Sequence, residues 1–344
     1  MLKPYIAKVM KCQNLNTEEA QAAMEIIMNG EATPAQIGGY LVALRMKGET
    51  VAEIAGSARA MRAHASRVAP SINGEPLLDT AGTGGDGSHS FNISTAAAFV
   101  IAGTGRKVAK HGNRAASSRC GSADVLSALG VNLELTPPQV AACIEQVGIG
   151  FLFAPKFHPA MKHAVGPRRE LGQRTIFNIL GPLTNPAGAT HQLIGVYDPA
   201  LTDSLAHVLR ELGGRAAYVV HGHGGLDELT TSGPNRVSHL KNGQVDSFEL
   251  DPLQYGLRPT TAELLVGGEP VDNARILRSL LAGKDSSPRR DVVLLNAAAA
   301  LAADTGDLSH ALSEAEQSLA SGAAIDRLEH LIAFSNSSNI GMIH

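Results

Sequence analysis

A chain of 344 residues, 44% hydrophobic and 18% charged, is long enough for two domains, or for one large α/β unit with a smaller one attached, and reads as a globular protein with a sizeable core. Its formal charge of -3 offers no general attraction to nucleic acid or anionic membrane, so any affinity for phosphate has to be local. There is no leader pattern and no apolar run of the ~18 residues that span a bilayer, which makes the cytoplasm the expected location; Cys12, Cys120 and Cys143, scattered and without C-x-x-C spacing, read as reduced core residues rather than a disulfide framework or a zinc site.

The first seventy residues hold repeated helix starts and no strand. Asn16 with Glu19, Thr33 with Gln36 and Thr50 with Glu53 each fit a capping box. Met24, Ile27 and Met28, then Ile37, Leu41 and Leu44, then Ile54, Ala58 and Met61 recur at three- and four-residue intervals, one buried stripe per helix. A small all-helical domain is therefore expected over 1–70. From Pro76 the short apolar runs Leu77-Leu78, Lys107 to Ala109 and Ala217 to Val220 alternate with alanine-rich helical segments. That texture predicts an α/β domain over 75–344, a mostly parallel sheet wrapped by helices.

Within it, Ser122 is expected to cap a helix that ends at Gly130, and Thr136-Pro137 to start another that stops at Gly148. Ile149 to Phe153 reads as a strand. The stretch 156–186, helical and rich in Pro, Gly and Arg, is expected to leave the sheet and rejoin the amino-terminal helices before Gln192 to Tyr197 resumes it. With the glycines of 222–225 it suggests a hinge. Asn242-Gly243 marks an antiparallel hairpin, and Asp272 to Ala333 reads as three covering helices.

The most informative stretch runs from Asp79 through Gly82-Thr83-Gly84-Gly85-Asp86 to Asn92-Ile93-Ser94-Thr95. Gly82-x-Gly84-x-x-Gly87 formally matches the dinucleotide-binding pattern, but Ser88 to Phe91 separate the glycines from the helix, and the next strand ends in Lys110 and His111 instead of an acid. The loop reads better as glycine-permitted backbone whose N–H groups can face phosphate oxygens. Ser94 and Thr95 then stand in the first turn of a helix from Asn92 to Ala102, where the dipole favours an anion. Taken singly, the glycines would only shape a turn and Asn92 would only cap a helix. Lys110-His111-Gly112-Asn113-Arg114 and the small residues Ala115, Ala116, Ser117 and Ser118, closed by Ser122, change that balance, because a basic pair in a serine-rich turn adds charge and further amides. Together they read as a cradle for a sugar carrying several phosphates.

Those motifs, with GSAD at Gly121 to Asp124, RRELGQRTIFNILGPLTNP at Arg168 to Pro186, and Asp227-Glu228, resemble the anthranilate phosphoribosyltransferase family in order and over essentially the whole chain. The resemblance implies a helical domain plus an α/β domain, a fold shared with pyrimidine nucleoside phosphorylases, and a homodimer joined through the helical parts. It implies transfer of the phosphoribosyl group of phosphoribosyl pyrophosphate (PRPP) to the amine of anthranilate, the second step from chorismate to tryptophan. Gly82, Gly85, Asp86, Ser90, Asn92, Ile93, Ser94 and Thr95 would line the PRPP site from the first loop. From the second would come Lys110, His111, Gly112, Asn113, Arg114, Ala115, Ala116, Ser117, Ser118 and Ser122. Anthranilate would lie along Gly82, Asn113 and Arg168, with His111, Pro155 and Met161 nearer the entrance. Family members often carry Thr in place of Ser90 and Ser-Val in place of Ala115-Ala116.

Departing pyrophosphate calls for magnesium, two ions being expected, with Asp227, Glu228 and Ser94 as ligands; alone, two adjacent loop acids would be read as solvated. No nucleophile or strong base is needed, so Lys110 and Arg168 act electrostatically, and Arg168 takes the anthranilate carboxylate. Arg169 is expected to point elsewhere. A nucleoside phosphorylase-like enzyme would need no pyrophosphate or metal residues, and a nucleic-acid-binding relative would need a basic face. Asp227-Glu228 and the net charge weigh against them.

Overall fold

The computed structural model describes residues 2–115 and 118–337. All three amino-terminal capping boxes form: Asn16 and Glu19 begin Thr17–Met28, Thr33 and Gln36 begin Pro34–Lys47, and Thr50 and Glu53 begin Val51–Ala63. Every residue of the three expected stripes is buried. A helix over Lys3–Met10, opened by Pro4, precedes them and was not anticipated.

The described residues form one seven-stranded sheet of β1 (Leu77–Gly82), β2 (Lys107–Gly112), β3 (Ile149–Phe153), β4 (His191–Gly195), β5 (Ala216–His221), β6 (Asn235–Lys241) and β7 (Gln244–Leu250). Their order is β3-β2-β1-β4-β5-β6-β7, with the first five parallel and β6 and β7 antiparallel. Asn242 and Gly243, at φ 51 and 74, make the turn between the last two. The chain winds outward from β1 to β3 and then crosses to β4, so the order reverses between β1 and β4. In open α/β sheets a crevice opens at such a point, beyond the carboxyl ends of the strands. Gly82 pairs with Gly195 there.

The alanine-rich helix Ile93–Gly103 is buried on nearly every side, beneath Pro288–Leu301 and Ala323–Asn336. Beyond the short helix Ala262–Leu265, four covering helices rather than three occupy 270–336, because Gly322 at φ 81 breaks the last apolar stretch into Leu308–Ala320 and Ala323–Asn336. Helix Lys162–Leu171 packs on Pro34–Lys47. One apolar cluster joins these helices to Ile194 and Val219 of the sheet and to Leu205, so the bundle shares its core with one sheet face.

Two local expectations change. Ser122 does not cap its helix, Ser122–Ala128; Gly121 holds that position, and its N–H donates to Asp124. Cys12 is exposed, while Cys120 and Cys143 are buried.

Candidate active site

At the end of β1 the chain turns through Gly84, Gly85 and Gly87, at φ 67, 76 and 76, a region that side chains seldom adopt. Thr83 N–H donates to Gly195 O (2.9 Å), and Tyr197 N–H donates to Thr83 Oγ1 (3.1 Å), which pins the loop to β4. Asp227 and Glu228 arrive from the loop after β5. Gly84 N–H donates to Asp227 Oδ2 (2.6 Å), Asp227 N–H to Asp86 Oδ2 (3.2 Å), and Ser94 N–H to Glu228 Oε1 (3.1 Å). Carboxylates some 140 residues away thus sit on the glycine loop and on the first turn of the following helix. This approach requires two glycines: a Cβ on Gly82 would strike the Asp227 carboxylate, and one on Gly195 the Asp227 backbone. Gly195 escaped the sequence reading, since nothing but its neighbour in the sheet distinguishes it.

Three acids meet here with little to neutralise them. Burial, then the nearby Asp86, holds Asp227 well above the usual carboxylate range; burial, then Asp227, does the same for Glu228. Lys110 is the nearby cation, but its side chain is not free in the cleft. It is 3% exposed, and its ammonium donates to Thr80 O and His111 O. Burial lowers its pKa, against the pull of Asp79, Glu228 and Asp227. The described residues contain no ready cluster of three His, Cys, Asp or Glu ligands for a metal. Two or three carboxylates with excess negative charge and a serine nonetheless suit a hard cation whose remaining ligands are substrate oxygens and water.

The amides of Gly85, Asp86 and Gly87 have no hydrogen-bond acceptor among the described residues. Asp86 braces the loop by accepting from Ser88 N and Oγ (3.1 and 2.8 Å), and Ser90 N–H donates to Ser88 Oγ. Asn92 stands at the N-cap of its helix, but its side chain makes no cap bond among the described residues. Its amide donates to Cys120 O (3.1 Å) and accepts from Asn273 (3.0 Å), bracing the start of Ile93–Gly103 against the loop after β2. Asn273, 1% exposed, lies in a carboxyl-terminal helix and had no sequence signal. Ile93 is buried, and Thr95 Oγ1 is buried without a partner among the described residues.

In the second loop Ser122 Oγ donates to Asn113 O (3.3 Å), and a Cβ on Gly112 would meet Phe151 as well as Ser122. The Arg114 guanidinium pairs with Asp124 at 2.9 Å, and Asp124 also accepts from Ala115 N–H. Ser118 is exposed; Ala116 and Ser117 lie outside the described residues.

His111 is not at an entrance. Its ring is buried, 5.2 Å from that of His158, and the Nε2 atoms of both are buried without a partner among the described residues. Pro155 is exposed and Met161 half-buried. Burial and then His158 bring the His111 pKa to about 3, and burial brings His158 to about 4. An unfolded imidazole titrates near ~6.5, so the unfolded chain takes up protons first, and the stability these rings contribute is complete above that pH and falls below it. The urea midpoint is expected to drop as pH falls from ~6.5 toward ~4, and less so in His158→Gln; identical pH slopes for the two proteins would count against this.

Arg168 stands on Lys162–Leu171, half-buried, its guanidinium 5.1 Å from the Phe177 ring centre, with burial lowering its pKa. No carboxylate lies within 4 Å of it among the described residues, and it is not hydrogen-bonded to Gly82 or Asn113. Arg169 is exposed.

Helical bundle, part-parallel sheet and acid-lined glycine loop define a two-domain glycosyl transferase: the helical bundle domain of that family matches residues 3–65, and its a/b domain residues 74–325. The anthranilate phosphoribosyltransferase of Moorella thermoacetica is 56% identical over 339 residues, 97% of this chain and 98% of that one. The crystal structure of the Thermus thermophilus enzyme matches with a TM-score of 0.91 at 47% identity, covering 96% of this chain and 99% of that chain. The Saccharomyces cerevisiae enzyme in complex with PRPP and Mg matches at a TM-score of 0.88 and 31% identity, covering 97% of both chains, and has also been solved with 4-fluoroanthranilate. The chain belongs to the anthranilate phosphoribosyltransferase family.

Proposed function

We infer that the crevice beyond β1 and β4 is where this transferase moves the 5-phosphoribosyl group of PRPP onto the amine of anthranilate and releases pyrophosphate, the step that follows anthranilate formation on the way to tryptophan. The observation that carries the assignment of the crevice is the seating of Asp227 and Glu228 on the Gly84 and Ser94 amides, which gathers anion-binding backbone and hard cation ligands in one place.

In this reading the free amides of Gly85, Asp86 and Gly87 and the start of Ile93–Gly103 hold phosphate oxygens. Asn113, Ser118 and Ser122 serve the second loop, while Asn92 works through its brace to Cys120. Asp227, Glu228 and Ser94 would hold magnesium, two ions being proposed, which when bound offsets the charge of departing pyrophosphate. Lys110, buried beneath the acids, offsets part of their charge. Arg168 takes the anthranilate carboxylate in a paired contact and so aims the amine at the anomeric carbon. Displacement there builds positive charge on the ribose, and no side chain acts as nucleophile.

Loss of anthranilate fluorescence on mixing protein, magnesium, PRPP and anthranilate is the direct test, with thymidine plus phosphate as the control pair. Turnover of the control pair alone would overturn the assignment.

The helical part, 1–70 with 156–186, is also proposed as the joint of a homodimer. Val42 and Met46, the latter 83% exposed, and Val165 on the packed neighbouring helix leave an apolar face uncovered. Light scattering is expected to give twice the chain mass of 35.8 kDa, and the single-chain mass would reject the joint. No helix among the described residues is long and apolar enough to cross a membrane.

A further inference from the structure

We propose that Arg174 is a positioning residue for the transfer reaction, holding the glycine loop from the helical side so that its amides face the pyrophosphate. The proposal rests on the reading of that loop as the pyrophosphate cradle. Gly172, at φ 57, ends Lys162–Leu171 and turns the chain toward the loop. The Arg174 guanidinium then lies 4.2 Å from the centre of the Tyr197 ring and donates to the carbonyl of Gly85. No carboxylate lies within 4 Å of it among the described residues, so no ion pair competes for the donor.

The consequence follows from the planarity of the peptide bond. In a trans peptide the C=O and the following N–H point in opposite directions, so a Gly85 carbonyl drawn toward Arg174 turns the Asp86 N–H the other way. That N–H belongs to the run of three amides without an acceptor among the described residues. Gly85 is at φ 76, and without a Cβ its backbone turns at little steric cost, so the peptide that joins it to Asp86 needs an external anchor to keep one orientation. Tyr197 serves both sides, because its backbone N–H holds Thr83 Oγ1 while its ring supports Arg174. Arg174 follows Arg168 by six residues, so the segment proposed to carry anthranilate also anchors the pyrophosphate loop.

Arg174→Ala is expected to raise KM for PRPP about tenfold, as for one lost charge-assisted hydrogen bond, with kcat and the KM for anthranilate within about twofold. Hydrogen exchange over 83–88 in the free protein is expected to quicken. Arg174→Lys, which keeps a donor, is expected to recover an intermediate KM. An unchanged KM for PRPP, an equal rise for both substrates, unchanged exchange, or a lysine variant as impaired as the alanine one would each overturn the proposal. Wild-type protein in the same assay separates the two readings. If it turns over normally while Arg174→Ala matches it, Arg174 alone loses its role; if it fails to turn over, the cradle reading falls and this proposal with it.

Discussion

Asp227→Asn combined with Glu228→Gln is expected to lower kcat/KM by about 10^3 or more and, in the same protein, to raise the thermal midpoint. The two effects have one cause. Both carboxylates are buried beside each other and beside Asp86, and both are held well above the usual carboxylate range by burial first and like charge second. The amides retain the same partners on substitution, since a side-chain amide oxygen can still accept from Gly84 and Ser94. What disappears is negative charge: a cost to folding, and in the proposed function the means of holding a cation. Turnover and thermal melts at pH 7, with and without magnesium, separate the terms. Activity that persists through a magnesium titration would reject the metal role, and a lower melting point would reject the account of the strain.

Arg168→Ala is expected to raise the KM for anthranilate about 100-fold while that for PRPP moves by less than about threefold. The argument is geometric and electrostatic. The guanidinium is half-buried, faces Phe177, and has no carboxylate within 4 Å among the described residues, so part of its hydration has been lost without replacement. A ligand carboxylate restores what burial removed, in a medium where such a pair counts for more than in water. Arg168→Lys keeps the charge and loses the paired fork, and is expected to recover only part of the affinity. Equal losses for both substrates would show the side chain to be a support for the fold instead.

Much of the architecture was legible from residue order. The capping boxes at Asn16, Thr33 and Thr50, the Asn242-Gly243 turn and the stop at Gly148 depend on partners within a few residues, so local chemistry suffices. The same holds for the glycine loop, whose positive φ values only glycine enters freely. Failures cluster where a distant group intervened. Asn92 has the right type and place for a cap, but Asn273 and Cys120 claim its side chain. His111 adjoins the serine-rich loop in sequence, but strand alternation turns its ring inward toward His158. Arg174 passed unnoticed inside a motif valued for Arg168.

The sequence by itself determined most of the helices, the strands and the glycine-rich turn, and which residue types could answer a diphosphorylated sugar, because backbone dihedrals, caps and side-chain periodicity are settled by near neighbours. Only the tertiary structure decided which charges are spent and which remain available. Placing β4 beside β1 carries Asp227 and Glu228 onto amides far away in the chain, and it sinks Lys110 beneath them. Hydrogen-bond partners and desolvation belong to groups brought together in space, and no interval along the chain encodes them.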